Sequence, residues 1–517
     1  MSKTHVMAQT HVMALDAGTG SVRAILFDHD GEIRHVAQEE FPQYYPHPGW
    51  AEHDAEEIWD AQMRVAHRVL DESGVTAAEV SAIGITNQRE TVVVWDRATG
   101  RPIHHAIVWQ DSRAADFCDR LRAQGHEDRV REITGLPIDT YFSGTKLAWV
   151  LDNVDGARDR ARRGELAFGT VDSWLIWNLT DGARHVTDYS NASRTLLYNI
   201  RRLEWDDEML ELLDIPREML PEVRPSSEVY GTTGDRAGFA SPIPVASAVG
   251  DQQGALFGQT CFTPGAVKAT YGTGGSVMMN TGHEPVSSRA GLITTIAWGI
   301  DGEVEYALEG VLFAVGVPLK WLRDELRIID DVRDSEAIAQ SVPDTGGVYL
   351  VPAFVGIASP HWNQHARATL QGMTLGTGRA HIVRAAIESM SYSYRDIIEA
   401  MQAESGNRLP ELRVDGGAVA NDFHLQFQAD QLGVAVQRPV VTESTARGAA
   451  YLAGLATGFW SSRDELVGSV RIERTFQPSM DEQTREALYA GWKRAVSRSL
   501  DWANAEAAAR ALTPTGA

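Results

Sequence analysis

The sequence predicts an α/β protein of two large domains, and three observations carry that prediction. The chain has 517 residues, more than the roughly 100–200 that a single domain commonly occupies. β-rich runs alternate with amphipathic helical stretches through both halves, the pattern of an α/β architecture. A short glycine turn, Gly18-Thr19-Gly20-Ser21-Val22, returns half a chain later as Gly272-Thr273-Gly274-Gly275-Ser276-Val277.

Taken in order, the first strand is expected over His11 to Leu15. The segment Thr4-His5-Val6-Met7-Ala8 repeats as Thr10-His11-Val12-Met13-Ala14, and only the second copy enters an apolar run, so the first reads as a leader or an upstream start. Val22 to Asp28 is β-rich and ends in the turn text Asp28-His29-Asp30-Gly31, which places the first glycines between two strands rather than before a helix. Arg23 also stands where a dinucleotide-binding fingerprint needs its third glycine. Ser81 to Ile85 and Thr91 to Trp95 read as strands and Ala55 to Leu70 as a helix. Pro244 to Val249 is a further apolar run closed by Asp251, which suits a strand end and also a helix N-cap.

Helix-like text from Asp251 to Gln259 gives way to Thr263-Pro264-Gly265, so the chain is expected to divide there, into domains at 1–258 and 259–517. In the second half Ala266 to Thr270 and Gly347 to Val351 read as strands and His381 to Ala403 as a helix. A third glycine cluster, Asp415-Gly416-Gly417-Ala418-Val419-Ala420-Asn421, follows the run Leu412 to Val414 and precedes helix-like Asp422 to Leu432. Paired glycines there let a flat ring approach the backbone, while Asn421 suits the cap of a tight strand-to-helix turn. Ala503 to Ala517 reads as a fraying alanine-rich helix and a loose tail.

Taken singly, each glycine turn is also what an ordinary hairpin or loop would show. Recurrence favours two turns that hold one nucleotide from both sides of a cleft. Bare amides in such turns wrap phosphate oxygens, with Asp16 at the strand end facing the accompanying metal.

Composition narrows the partners. The 43% apolar and 23% charged residues belong to an ordinary globular chain, and the net charge of −23 argues against a sequence-independent grip on nucleic acid or an anionic membrane. Only five lysines stand beside 42 arginines, a mark of a salt-rich habitat or a GC-rich genome. Cys118 and Cys261 lie far apart, supporting neither a disulfide framework nor a zinc site. No run of about 18 apolar residues suggests a membrane anchor, so a cytoplasmic protein is expected. Neither Gly-Lys-Ser/Thr, His-Arg-Asp, Asp-Phe-Gly, His-Glu-x-x-His nor Gly-x-Ser-x-Gly occurs, which excludes P-loop, protein-kinase, zinc-protease and α/β-hydrolase chemistry.

Three glycine turns in this order resemble the ATP cleft shared by sugar kinases, hexokinase, actin and the heat-shock chaperone ATPases. Tyr141-Phe-Ser-Gly-Thr-Lys146-Leu-Ala-Trp149-Val-Leu-Asp152-Asn153 is similar to the first signature of the FGGY carbohydrate kinases, and Gly372-Met-Thr-Leu-Gly376 continuing to His381-Ile-Val-Arg-Ala-Ala-Ile-Glu388 to the second. The resemblance runs from about Val12 to the region of Ala490, and within the family it is to members that phosphorylate glycerol. Gly84-Ile-Thr-Asn-Gln-Arg89-Glu90-Thr91, Ile107-Val-Trp109-Gln110, Thr187-Asp-Tyr-Ser-Asn-Ala-Ser-Arg194 and Gly250-Asp251-Gln252-Gln253 are its most distinctive stretches.

The resemblance implies two actin-like, ribonuclease H-like domains with an ATP cleft between them. It implies ATP-dependent phosphorylation of glycerol to sn-glycerol 3-phosphate, the first step of glycerol catabolism, with ATP and Mg²⁺ as cofactors and a homodimer or homotetramer as the assembly. It places Arg89, Glu90, Trp109, Tyr141, Asp251 and Gln252 around the acceptor, with Asp251 as general base. Thr19, Gly20, Ser21, Arg23, Thr273, Gly316, Lys320, Gly417 and Asn421 are placed at the nucleotide and Asp16 at the metal. The residue types suit a triol: Arg89 donates to hydroxyl oxygens, Glu90 and Asp251 accept hydroxyl protons, and Trp109 and Tyr141 pack on the carbon chain.

Two departures from the family pattern bear on the acceptor. Gly20 replaces a threonine of the first turn, a form similar to the phosphate turn of autoinducer-2 kinases in the same family, and Ser276 replaces an aromatic beside the acceptor carbons. Lys320 stands where a glutamine is common. The alternatives are a kinase of another small polyol or sugar and, from a different class, an actin-like nucleotide switch without small-molecule chemistry.

Overall fold

The computed structural model describes residues 9–503. The repeat copy at Thr4 to Ala8 and the tail beyond Ala503 therefore lie outside the described residues. Two mixed β-sheets organise the rest.

The first sheet contains β1 (His11–Ala17), β2 (Ser21–Phe27), β3 (Ile33–Glu40), β4 (Val80–Asn87), β5 (Ser227–Thr232) and β6 (Pro244–Gly250), in the order β5-β6-β4-β1-β2-β3. β1, β2 and β3 form an antiparallel meander, while β4 and β6 extend the sheet in parallel on the other side of β1. The second sheet contains β7 (Val267–Tyr271), β8 (Gly275–Gly282), β9 (Ile293–Ile300), β10 (Glu303–Leu312), β11 (Glu411–Asp415), β12 (Ala435–Pro439) and β13 (Ile472–Phe476), in the order β9-β10-β8-β7-β11-β12-β13. Here again a hairpin opens the sheet, and parallel strands β11 and β12 follow on the far side of β7. The halves thus repeat one plan, two actin-like domains, and the two glycine turns are the tips of equivalent hairpins.

Sequence pattern explains where each strand sits. β1 and β4 are buried along almost their whole length and read as mostly apolar runs, whereas β3 alternates and lies at the sheet edge. The helices that matter for the site are α1 (Ala55–Ser73), α2 (Ser143–Asn153), α3 (Tyr189–Ala192), α4 (Asp251–Gly258), α5 (Val317–Asp324), α6 (Arg379–Ser405), α7 (Asp422–Leu432) and α8 (Ser444–Thr457). Asp54 caps α1, and Gly74 ends it in a left-handed conformation. Among the described residues no helix is long and apolar enough to cross a membrane.

Helices α4 and α8 form the floor between the sheets. α8 belongs to the second half in sequence, yet its Ala449 carbonyl accepts from Ser247 Oγ of β6 at 2.8 Å. Its Gly448 faces Gly254 of α4 so closely that an added methyl would overlap the Gly254 carbonyl, and Gly84 of β4 is as close to Ala449. A shared apolar cluster fills the remaining space, with Val12, Ile25 and Val249 from the first half and Met278, Trp298 and Ala446 from the second.

Because neither backbone can retreat from this contact, Gly448→Ala should destabilise the protein by about 1–3 kcal/mol, the usual range for overpacking. Urea unfolding checks this, and an unchanged midpoint would refute it.

Candidate functional site

The first turn joins β1 to β2. Gly18 N–H donates to Ser21 O at 3.0 Å, and among the described residues the amides of Thr19 and Gly20 have no backbone partner. The second turn is closed one residue tighter, with Gly272 N–H donating to Gly274 O at 3.0 Å and the amides of Thr273 and Gly274 left over. Space is open beside Gly20 and Gly417, where an added methyl would meet nothing within 4 Å. Both turns are therefore nests of unpaired donors suited to phosphate oxygens.

The predicted nucleotide residues fall into two groups. Thr273, Gly316 and Lys320 meet at the second turn: Gly316 N–H donates to Gly272 O at 3.0 Å, and Lys320 Nζ to Thr273 Oγ1 at 3.3 Å. Gly417 and Asn421 stand next to it, because β11 runs parallel to β7, pairing Thr270 with Asp415. Gly416 takes φ 92° there and lies against the Tyr271 backbone with no room for a side chain. Asn421 caps α7, its Oδ1 accepting from His424 N–H at 2.9 Å, so the capping reading of this residue holds. Thr19, Gly20, Ser21 and Arg23 form the other group, and no hydrogen bond among the described residues joins it to the second or third turn.

Asp16 ends β1 opposite Arg23, whose Nη1 lies 3.8 Å from Asp16 Oδ2. Arg23 also pairs with Glu443, just before α8, a partner that the sequence did not indicate. Burial lifts the Asp16 carboxyl to about 7 against the opposing pull of Arg23, with Glu443 and Asp251 adding repulsion.

The residues expected at the acceptor are brought together beside the first group. Arg89 and Glu90 follow β4 and are 4% and 1% exposed, so they are not the surface ion pair that this dipeptide usually makes. Glu90 has φ 60°, a left-handed backbone held at a site where strain is compensated by its surroundings. Its Oε1 accepts from Arg194 Nε at 2.6 Å. Arg89 Nε stands 3.1 Å from Asp251 Oδ1, and its Nη2 reaches Tyr141 Oη at 3.4 Å. Trp109 and Tyr141 meet edge to face with centroids 5.5 Å apart. Trp109 Nε1 donates to Thr19 Oγ1 at 2.9 Å, which fastens the acceptor aromatics to the first phosphate turn.

One expectation is corrected. Asp251 is not the N-cap of α4: Gly250 takes that position, and Asp251 is the first helical residue, its Oδ1 accepting from Gln252 N–H at 2.7 Å. The Gly250 N–H is already taken by Ser190 Oγ at 2.8 Å, which fixes the strand end and leaves the Asp251 side chain one-third exposed toward the cleft.

Four functional side chains were missed by the sequence reading. Glu309 on β10 is fully buried, and its Oε1 accepts from Arg89 Nη2 at 2.7 Å. Arg194 lies beyond α3 with Nη1 2.7 Å from Glu309 Oε2. Lys268 on β7 is fully buried and donates to Gln252 Oε1, so the Gln252 amide is left to turn its NH₂ elsewhere. Lys146 donates to the carbonyls of Thr140, Tyr141 and Phe142 at 2.8, 2.7 and 2.9 Å, holding the loop that carries Tyr141; burial draws its ammonium down to about 8. The signal for Lys268 was a single charge inside an otherwise uncharged strand, and for Glu309 a charge in the apolar second half of β10.

Residues 11–258 match the N-terminal domain, and residues 267–457 the C-terminal domain, of the FGGY family of carbohydrate kinases. The chain belongs to that family. Among its relatives are proteins named glycerol kinase from Carboxydothermus hydrogenoformans, 60% identical over 96% of this chain and 99% of that one, and from Halorhodospira halophila, 58% identical over 96% and 98%. The crystal structure of Plasmodium falciparum glycerol kinase with ADP superposes with a TM-score of 0.90 at 34% identity, covering 95% of this chain and 99% of that one. A ligand-bound xylulose kinase of Lactobacillus acidophilus, 20% identical over 95% of this chain and 99% of that one with a TM-score of 0.86, shares the FGGY fold.

The raised Asp16 group gives a pH signature to this kinase without nucleotide or metal. A carboxyl at about 7 in the folded chain and 3.8 in the unfolded one contributes stability that is complete below 3.8 and lost as pH rises to about 7. Asp16→Asn should therefore gain on the parent with pH, the gap widening by about 2–3 kcal/mol from pH 5 to pH 8 in urea unfolding. Parallel curves for the two proteins would refute the buried-acid account.

Proposed function

We propose that this FGGY kinase transfers the γ-phosphoryl group of ATP to a terminal hydroxyl of glycerol, giving sn-glycerol 3-phosphate and ADP, the first step of glycerol catabolism. The observation that carries the proposal is the ring of Glu90, Asp251 and Tyr141 around the Arg89 guanidinium, placed between two phosphate nests. Such a ring offers donors and acceptors to several hydroxyls of one small molecule, and a substrate lacking a hydroxyl would leave buried groups unpaired.

In this reading Arg89, Glu90, Trp109, Tyr141 and Gln252 hold the acceptor, and Asp251 takes the proton of its attacking hydroxyl as general base. Thr19, Gly20, Ser21, Arg23, Thr273, Gly316, Lys320, Gly417 and Asn421 hold the nucleotide. Mg²⁺ fits beside Asp16, a buried carboxylate whose ionisation a cation would favour. Among the described residues no group of three or more His, Cys, Asp or Glu could hold a metal unaided. That suits an ion carried largely by the phosphates and one or two carboxylates. Bound there, Mg²⁺ supplies neutralisation of the phosphate charge. Closure of the halves excludes water that would otherwise accept the phosphoryl group.

The same proposal assigns the first domain to 1–258 and the second to 259–517, a cytoplasmic location, and a homodimer or homotetramer. A second reading, a kinase of another small polyol or sugar, has one observation in its favour. Ser276 makes part of the wall polar, its Oγ donating to Glu309 Oε1 at 3.3 Å.

Coupled ADP release with Mg-ATP and a panel of glycerol, dihydroxyacetone, erythritol, xylulose and no acceptor distinguishes the readings. Glycerol is expected to be the acceptor with the highest kcat/KM, and Asp251→Asn should lower its kcat by about 10²–10⁴-fold. An inert response to glycerol with turnover on another acceptor would move the protein to the second reading. Acceptor-independent hydrolysis alone would favour a nucleotide switch.

A further inference from the structure

Glu309, Met278 and Lys268 form one row across β10, β8 and β7, since Lys268 pairs with Met278 and Met278 with Glu309. Met278 belongs to the apolar cluster between the domains, so this row faces the first domain. Ser276, two residues along β8, lies on the same face. Glu309 reaches across the boundary to Arg89 with both oxygens, accepting from Nη2 at 2.7 Å and from Nη1 at 3.2 Å. Its other cross-domain partner is Arg194, which in turn holds Glu90. Gln253 Oε1 also accepts from Arg89 Nη1, at 3.2 Å, so the two terminal nitrogens of the guanidinium are fixed from behind while Nε faces Asp251.

Burial works to raise the Glu309 carboxyl, and Arg194 and Arg89 overcome it, holding it at about 2. The group is an anion throughout the working range. Its four-charge cluster with Arg89, Arg194 and Glu90 is balanced.

We propose that Glu309 is a positioning residue for the acceptor: through Arg89, the second half sets the geometry of an acceptor site whose ligands lie in the first. The proposal rests on the reading of Arg89 as an acceptor ligand. It makes the acceptor site sensitive to how the halves meet, and by linkage makes acceptor and nucleotide binding reciprocal.

Two full-length variants test it. Glu309→Gln keeps the outline and loses the charge. Glu309→Asp keeps the charge and the balance of the cluster, which favours folding, but draws the carboxylate back from Arg89 by about 1.5 Å, one carbon–carbon bond. Displacing a substrate-holding group by that much is costly, so the acceptor KM should rise about tenfold or more in each variant that folds. The Kd for Mg-ADP, measured by calorimetry, should stay within about twofold of the parent. A merely structural role would lower kcat through loss of folded enzyme and leave KM alone. An acceptor KM close to the parent's in Glu309→Asp, or an ADP affinity that falls in parallel, overturns the proposal. The parent is assayed first on the acceptor panel: if another polyol replaces glycerol, the substrate reading fails, and the same KM comparison on that polyol still decides the role of Glu309.

Discussion

The architecture depends on the backbone contact between α4 and α8. Helices approach this closely only where side chains are absent, and Gly254, Gly258 and Gly448 supply the absence on both sides. The contact fixes more than packing. Asp251 is the first residue of α4, so the depth to which α8 settles on α4 sets where that carboxylate stands between the turns. α8 is held in turn by β4 and β6, the strands that lead into Arg89 and Gly250. One small-residue interface thus places the proposed base, the acceptor arginine and the second half relative to each other.

Charges added to such an interface carry a cost, because buried ions lose hydration that their mutual attraction must replace. The cluster of Arg89, Arg194, Glu90 and Glu309 meets that condition by balance and by short paired contacts, two of them 2.7 Å and one 2.6 Å. Hydrophobic residues of similar volume could fill the space. They could not fix the Arg89 guanidinium on which the proposed acceptor site depends, and this is the property that the cost sustains. Glu90's left-handed backbone belongs to the same account, a local strain retained where it turns a carboxylate toward Arg194 and the acceptor.

The fold was legible because its signals are local. The glycine hairpins, the apolar runs of β1 and β6, the Asn421 cap and the full length of α7 follow from patterns within a few residues. The site was legible only in part. Arg89, Glu90, Trp109, Tyr141 and Asp251 sit in stretches distinctive enough to be matched, and the structure brings them together. Glu309, Lys268 and Glu443 act across the domain boundary, 220, 16 and 420 residues from their partners Arg89, Gln252 and Arg23. No window of sequence contains both members of the two longer pairs. Only a charge amid apolar neighbours marks Lys268 and Glu309 in the text, and for Glu309 even that is diluted by Glu303 and Glu305 of the same strand. The Asp251 cap was misplaced by one residue: Gly250 takes that position, and Asp251 Oδ1 faces Arg89 Nε, which no local window of sequence contains.

The duplicated plan also explains why the site is asymmetric. Both halves present a hairpin tip with two amides left without a backbone partner among the described residues, so each suits phosphate oxygens. An acceptor has no such twofold character, and the halves diverge where it must bind. In the first half, the long excursion between β4 and β5 supplies Trp109 and Tyr141 of the proposed acceptor site, together with Lys146 and Arg194, which hold the Tyr141 loop and Glu90. In the second half, the corresponding face of the sheet carries Lys268 and Glu309, which reach Gln252 and Arg89, and Ser276, which donates to Glu309. Duplication therefore supplies the phosphate grip, and divergence supplies specificity. The contacts that join them are Trp109 to Thr19, which ties the proposed acceptor site to the first turn, and Glu309 to Arg89, which ties it to the second half.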